Sequence, residues 1–238
     1  GVAFRVDNDE PIHFQSKNAK VSFNKKEINL ENDVAVVLEN TELNADKMQI
    51  RLDQNIIYAN GTVKTLSNSK DDSEQVLISA DSATYLPKQK YFEYVKNVQG
   101  TLKRRKKYEE SIRFKTDNLI FDGQKNLAEL KGDVHFMRDN FDIYANSGNI
   151  FLENYNKKLK YYSFSDDVRL EEKVNSDGRQ FTRKAFSEKL EGFMSEKKII
   201  LTGLPKVFQE KDVIKGNMIV IRENIETVEV DDANTNII

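Results

Sequence analysis

Gly132-Asp133-Val134-His135-Phe136-Met137-Arg138-Asp139-Asn140-Phe141-Asp142-Ile143-Tyr144-Ala145-Asn146 holds in one stretch the two marks that organise the whole chain. One mark is a short strand ending on a small residue followed by Asp or Asn, here Ile143-Tyr144-Ala145-Asn146. The other is an acidic residue or Gly followed by valine, here Gly132-Asp133-Val134. Just after it, Val134 and Phe136 flank His135, the period-2 pattern of a strand with one buried face.

The first mark recurs in both directions, clearly at Leu43-Asn44-Ala45-Asp46 and Ile78-Ser79-Ala80-Asp81. Weaker copies are Phe114-Lys115-Thr116-Asp117, Arg183-Lys184-Ala185-Phe186 and Ile214-Lys215-Gly216-Asn217. From Ala45 through Ala80, Thr116, Ala145 and Ala185 to Gly216 the steps are 35, 36, 29, 40 and 31 residues. The second mark keeps phase at Asp33-Val34, Gly61-Thr62-Val63, Asn97-Val98, Asp167-Val168 and Gly203-Leu204-Pro205-Lys206-Val207. Two interleaved series that stay in step define a repeat protein. Each copy reads as two strands, since no segment sustains the i, i+3, i+4, i+7 spacing of a helix. Turn signals such as Asp122-Gly123, Asp177-Gly178 and the polar run Ser67–Ser73 separate them, and Asp-Gly favours a tight type I′ hairpin. The expected fold is all-β and antiparallel, about 15 or more strands in repeated two-strand units. No linker composition interrupts it, so 1–238 reads as a single domain with flexible ends at 1–10 and 231–238. The small residue and Asp that close each first strand suit a sharp edge, where the Asp or Asn bonds its own backbone.

The 37 basic and 39 acidic residues nearly cancel, which gives no drive toward nucleic acid or an anionic surface. Mean hydropathy is -0.66, yet the apolar residues are regularly spaced, as in a folding chain. No window approaches the ~18 apolar residues of a membrane-spanning helix. The opening Gly1-Val2-Ala3-Phe4 has neither the charged nor the apolar region of a signal peptide, as expected of a processed chain. With no cysteine, disulfides, zinc–thiolate sites and thiol catalysis are excluded.

Enzyme signatures are missing. The two histidines, His13 and His135, lie far apart, and no G-x-S-x-G, P-loop or H-E-x-x-H occurs. His135 should sit on the polar face of its strand. The acidic groups Asp7–Glu10, Asp71-Asp72 and Asp231-Asp232 lack the oxygen spacing of a calcium loop. The basic run Lys103–Lys107 reads as a solvated hairpin tip. No catalytic residue, metal or cofactor is expected. What remains is the apolar face: Val34, Val36, Leu43, Ala45, Val63, Ile78, Ala80, Val98, Val134, Phe136, Ile143, Val168, Leu170, Leu201 and Val207. Periodicity leaves open whether they enclose a dry core or a groove that admits acyl chains.

The series Leu43-Asn44-Ala45-Asp46-Lys47, Ile78-Ser79-Ala80-Asp81, Gly132-Asp133-Val134 and Leu201-Thr202-Gly203 resembles the repeat of the OstA/LptA family of periplasmic lipopolysaccharide-transport proteins. Asp9-Glu10-Pro11-Ile12-His13-Phe14-Gln15-Ser16 is similar to that family's opening strand. Gly203–Val207 with Ile214–Asn217 is similar to its last repeat, so the resemblance spans residues 11–230. It implies an elongated, V-shaped, open-ended β-jellyroll in the periplasm of a Gram-negative bacterium. That jellyroll would hold the acyl chains of lipopolysaccharide between two sheets and do no chemistry. The resemblance adds Thr41 to the lipid-facing positions, beside Leu43 and Ala45. It also implies head-to-tail self-association, and pairing through terminal edge strands with inner-membrane-anchored and outer-membrane translocon components. The chain is longer than a typical bridge member, and the basic run has no counterpart there. The alternatives are the soluble domain of the membrane-anchored sister component, the periplasmic domain of the translocon, or a structural β-repeat with a closed core.

Overall fold

The computed structural model describes residues 1–5, 8–68, 74–104, 111–138, 140–153, 158–176, 178–223 and 225–231, excluding the side chains of 2–11 and 176. Among these residues it has eighteen strands and two single 3₁₀ turns, Pro87–Gln89 and Met194–Glu196. The sequence suggests at most one such turn, at a terminus, but both lie inside the chain. Each closes a hairpin, because Leu86 pairs with Tyr91 and Phe193 with Lys198. The residues that follow them, Lys90 and Lys197, take left-handed φ of 51° and 47°, and Lys26, Asn55 and Asn126 at other turns are left-handed too.

The backbone forms two compact units, Gly1–Lys125 and Asn126–Ile238. In the first, β4 (Glu27–Leu38), β5 (Thr41–Arg51), β6 (Ile56–Asn68), β7 (Glu74–Leu86), β8 (Tyr91–Arg104) and β9 (Ile112–Asp122) pair antiparallel in chain order. Three shorter strands precede them: β1 (Val2–Arg5), β2 (Asn8–Gln15) and β3 (Asn18–Ser22). β3 pairs with the first half of β4 and β2 with the second, while β1 adds to β2. Residues 1–10, expected to be a flexible end, therefore include a strand and the start of another. Residues 232–238 lie outside the described part.

The second unit repeats the plan with β10 (Leu127–Met137), β11 (Phe141–Leu152), β12 (Leu159–Ser176) and β13 (Arg179–Phe193). Here the last long strand divides its partners. Residues 189–193 pair with β14 (Lys198–Thr202), and residues 183–186 with β15 (Lys206–Gln209). β16 (Asp212–Lys215) continues from β15, while β17 (Met218–Arg222) and β18 (Val228–Asp231) continue from β14.

The long strands run 11 to 18 residues, beyond the spacing of the turn signals, because each crosses from one sheet to the other through a bulge. Glu31 pairs with Lys47 and Val34 with Ala45, so Asn32 and Asp33 oppose only Asp46. Asn32 and Asp33 both have positive φ, as do Gly61-Thr62, Lys96-Asn97, Gly132-Asp133, Asp166-Asp167 and Gly203-Leu204. Each pair opposes one short polar or acidic residue, and this two-against-one count bends the ladder into a corner. The recurring marks of the sequence are these corners. Thr62 Oγ1 donates to Asp46 Oδ2 at 3.3 Å and Asn97 Nδ2 to Asp81 Oδ2 at 2.9 Å, tying corner to corner.

The weak copy at Arg183–Phe186 is corrected by two residues. Phe186 still pairs with Lys206 and Lys189 with Thr202, so the corner falls at Ser187-Glu188 opposite Gly203-Leu204. Asp122-Gly123 is also corrected, since Gly123 is not among the positive-φ residues a type I′ turn requires. Instead, Asp122 Oδ1 accepts the N–H of Gln124 and Lys125. Gly178 does take positive φ. The strand Asn8–Gln15 is not an edge, because His13 pairs with Val2 on one side and Val37 on the other.

Candidate functional site: the apolar interior of each unit

Within each unit the halves of the long strands before and after the corners form two sheets, joined at the corners and facing each other across an apolar interior. Val34, Val36, Leu43, Ala45, Val63, Ile78, Ala80 and Val98 line it in the first unit and are buried. Val134, Phe136, Ile143, Val168, Leu170, Leu201 and Val207 line it in the second, also buried. Thr41 is half-buried, its hydroxyl 3.1 Å from that of Ser67. His135 faces outward, as expected, where its Nε2 lies 2.9 Å from Asp142 and its ring stacks on Tyr144.

Of the aromatic filling of the second unit, sequence reasoning found Phe136 and missed Phe141, Tyr162 and Phe164. Phe136, Phe141, Tyr162 and Phe164 are fully buried and mutually packed, with centroids 5.2–6.3 Å apart, as tilted rings prefer. Phe164 and Tyr162 fit because one cross-strand partner of each is glycine. Gly148 opposes Phe164 and Gly192 opposes Tyr162, and a Cβ on Gly192 would come within 2.0 Å of the tyrosine ring. A ring lying over a cross-strand glycine was the available signal. The same pairing recurs in the first unit between Gly100 and Phe114.

The interiors end differently at the mouth, the side away from the corners. In the first unit Val76, Tyr85, Phe92, Phe114 and Phe121 are half-buried. Tyr85 stacks on Phe92 at 3.9 Å, and Phe92 on Tyr94 at 5.7 Å. Tyr94 is fully buried and its hydroxyl donates to Thr65 Oγ1 on the facing sheet at 3.0 Å; burial pushes this phenol far above its ordinary range. Between Ile12, Ile50, Ile57 and Pro87 the packing leaves only a crevice too narrow for a water molecule.

Charged residues also point inward at the mouths, which the alternation did not reveal. Arg104 was expected in a solvated tip, yet its side chain is buried against Glu74, its cross-strand partner. Residues 105–107 of that run lie outside the described part. In the second unit Glu172 and Arg183 are also cross-strand partners, both with fully buried side chains 3.1 Å apart. Burial draws the Arg183 guanidinium below its ordinary pKa, opposed by Glu172 and Glu226, but a guanidinium stays charged in a protein.

The profile of the family described as "LptA/(LptD N-terminal domain) LPS transport protein" matches residues 13–111 and again 113–227. The chain belongs to this lipopolysaccharide-transport family. Its length beyond a single family domain is thus a second copy of that domain. LptH of Pseudomonas aeruginosa, whose crystal structure is titled as the LptA homologous periplasmic component of the conserved lipopolysaccharide transport device, superposes with a TM-score of 0.47 at 20% identity, over 51% of this chain and 82% of LptH. No curated protein sequence matches. The chain is accordingly an all-β member of a lipopolysaccharide-transport family.

Proposed function

We propose that this chain carries lipopolysaccharide through the periplasm of a Gram-negative bacterium, as the bridge component, without catalysing any reaction. Acyl chains lie between the two sheets of a unit, against Leu43, Ala45 and Ile78 in the first and the aromatic cluster in the second. The sixteen positions read from the sequence, Thr41 included, form this lipid surface, and 1–238 acts as one lipid-handling domain with two family copies in tandem. The observation that carries the proposal is the mouth of the first unit. There Val76, Tyr85, Phe92, Phe114 and Phe121 stay half-exposed although they face an apolar interior. Each methylene they take from water is worth ~0.8 kcal/mol.

Contacts with neighbouring components run through terminal edge strands. β18 pairs with β17, and its outer row of N–H and C=O groups can extend into another chain's sheet. The same edge supports head-to-tail self-association. The test is a photo-crosslinker at Phe92 with lipopolysaccharide, and with the same polysaccharide stripped of its acyl chains. Capture of the first alone supports the proposal; capture of both or neither rejects it.

A further inference from the structure

We infer that the second unit is gated by an ionic strap. The segment bearing Glu223, Ile225 and Glu226 ties its mouth shut, and an acyl chain enters only when Arg138 and Arg183 release it. This inference rests on the lipid-carrying function proposed above and adds its regulation.

The strap leaves β17 at the mouth of one sheet, and the residues that hold it belong to the facing sheet. Arg138, at the end of β10, grips the Glu223 carboxylate with both terminal nitrogens, at 2.9 and 3.3 Å. Its guanidinium also lies 4.6 Å over the ring of Phe141 and donates to Met194 Sδ at 3.2 Å. Arg183 anchors on Glu172 and on Gln209 Oε1, the latter at 2.8 Å. Its remaining nitrogen donates to the carbonyls of Ile225 and Glu226, at 2.7 and 3.1 Å. Gln209 completes the hold by donating its amide to the Glu226 carbonyl at 3.1 Å. The row Glu172, Arg183, Gln209 runs directly across β12, β13 and β15. Beneath it lies the aromatic cluster of Phe136, Phe141, Tyr162 and Phe164.

The chemistry of the closure argues for a gate over a permanent seal. A mouth sealed by hydrocarbon would expose apolar surface to water on opening, at full cost. A mouth sealed by guanidinium, carboxylate and carbonyl groups exchanges those bonds for hydration. In a buried ion pair the mutual attraction and the desolvation penalty largely offset each other. Closed and open states of such a mouth therefore lie close in free energy, the condition for a ligand to select between them. The buried charges sit where the sheets must part.

The experiment places the photo-crosslinker p-benzoylphenylalanine at Phe92 in the first unit or at Phe181 in the second, in the full chain with lipopolysaccharide micelles. Phe181 is half-buried and pairs with the buried Val174. Each probe is combined with Glu223→Gln and, separately, with Gln209→Ala. We expect capture at Phe92 to be equal in every background. Capture at Phe181 should be weak in the parent and rise on the order of tenfold in both variants, the response to a ~1.4 kcal/mol shift in the gating equilibrium. Should one variant fail to fold by its thermal melt, the other decides. Equal capture at both sites in the parent overturns the strap and leaves the carrier function standing. So does no rise at Phe181 in a folded variant. No capture at Phe92 in any background overturns the carrier function itself.

Discussion

Leu43 and Asn44 are adjacent and face opposite ways, which makes them the sharpest residue-scale test of the interior. Leu43 is 1% exposed, so Leu43→Asp strands a carboxylate away from water and is expected to lower stability by roughly several kcal/mol in a urea melt. Asn44 donates to Glu42 on the outer face, so Asn44→Ala should stay within about 0.5 kcal/mol of the parent. Equal effects would mean that the register is misassigned. A second pair at this scale predicts pH dependence. Tyr161 donates to Glu191 at 2.5 Å, and that bond holds the carboxyl below its ordinary 4.5, while burial and Glu191 push the phenol up to about 12. The lowered group stabilises above pH 4.5 and loses that contribution as pH falls through its folded value. The raised one stabilises below pH 10 and loses its contribution as pH rises toward about 12. Tyr161→Phe should therefore flatten both limbs of a stability–pH curve measured by denaturant titration. At this scale the apolar inward residues were legible because alternation marks them. Glu172, Arg183, Arg138 and Arg104 were not, since a charge at a strand end looks the same whether it meets water or a partner across the ladder.

At the scale of the element the corner is the unit of construction, and its residues carry the repeat. Gly61 has φ of 76°, and a Cβ there would sit 2.4 Å from Asp46 Oδ2. Gly61→Ala should cost ~1–2 kcal/mol for left-handed backbone alone and more from the clash. Removing the opposing side chain isolates the two contributions. In an Asp46→Ala background the same substitution should cost only the backbone part, and a double-mutant cycle by thermal melts should show coupling between the sites. Additive losses would mean that Asp46 does not shape the corner. The corner marks were visible in the sequence because left-handed positions select Gly, Asn and Asp. Strand lengths were harder to see, because a bulge resembles a turn when only composition is read, so one bent strand looks like two. The slip at Ala185 has the same origin: a small inward residue two positions early mimics the true corner at Ser187-Glu188.

For the whole molecule, the all-β plan was foreshadowed by the repeat, but the locations of its free edges depended on pairing that no residue pattern encodes. Ile12–Gln15 carries the alternation of an edge strand yet is flanked on both sides, whereas β18 is paired with β17 alone among the described strands. The assembly prediction therefore belongs to β18. Joining one molecule's last strand to a different surface of the next is a heterologous contact, which propagates without closing. Sedimentation velocity of the parent should show mass rising with concentration and no plateau at a dimer. Val228 and Val230 are half-buried on that strand, and a lysine on an edge opposes strand addition by bringing an unpaired charge into the new ladder. The double variant Val228→Lys, Val230→Lys should remain at one mass over the same range and keep the parent's β-sheet circular dichroism. Capture of lipopolysaccharide at Phe92 should be unchanged in it, because Phe92 belongs to the first unit and β18 to the second. A parent of constant mass would remove the assembly, and a variant that assembles like its parent would move the joint away from β18.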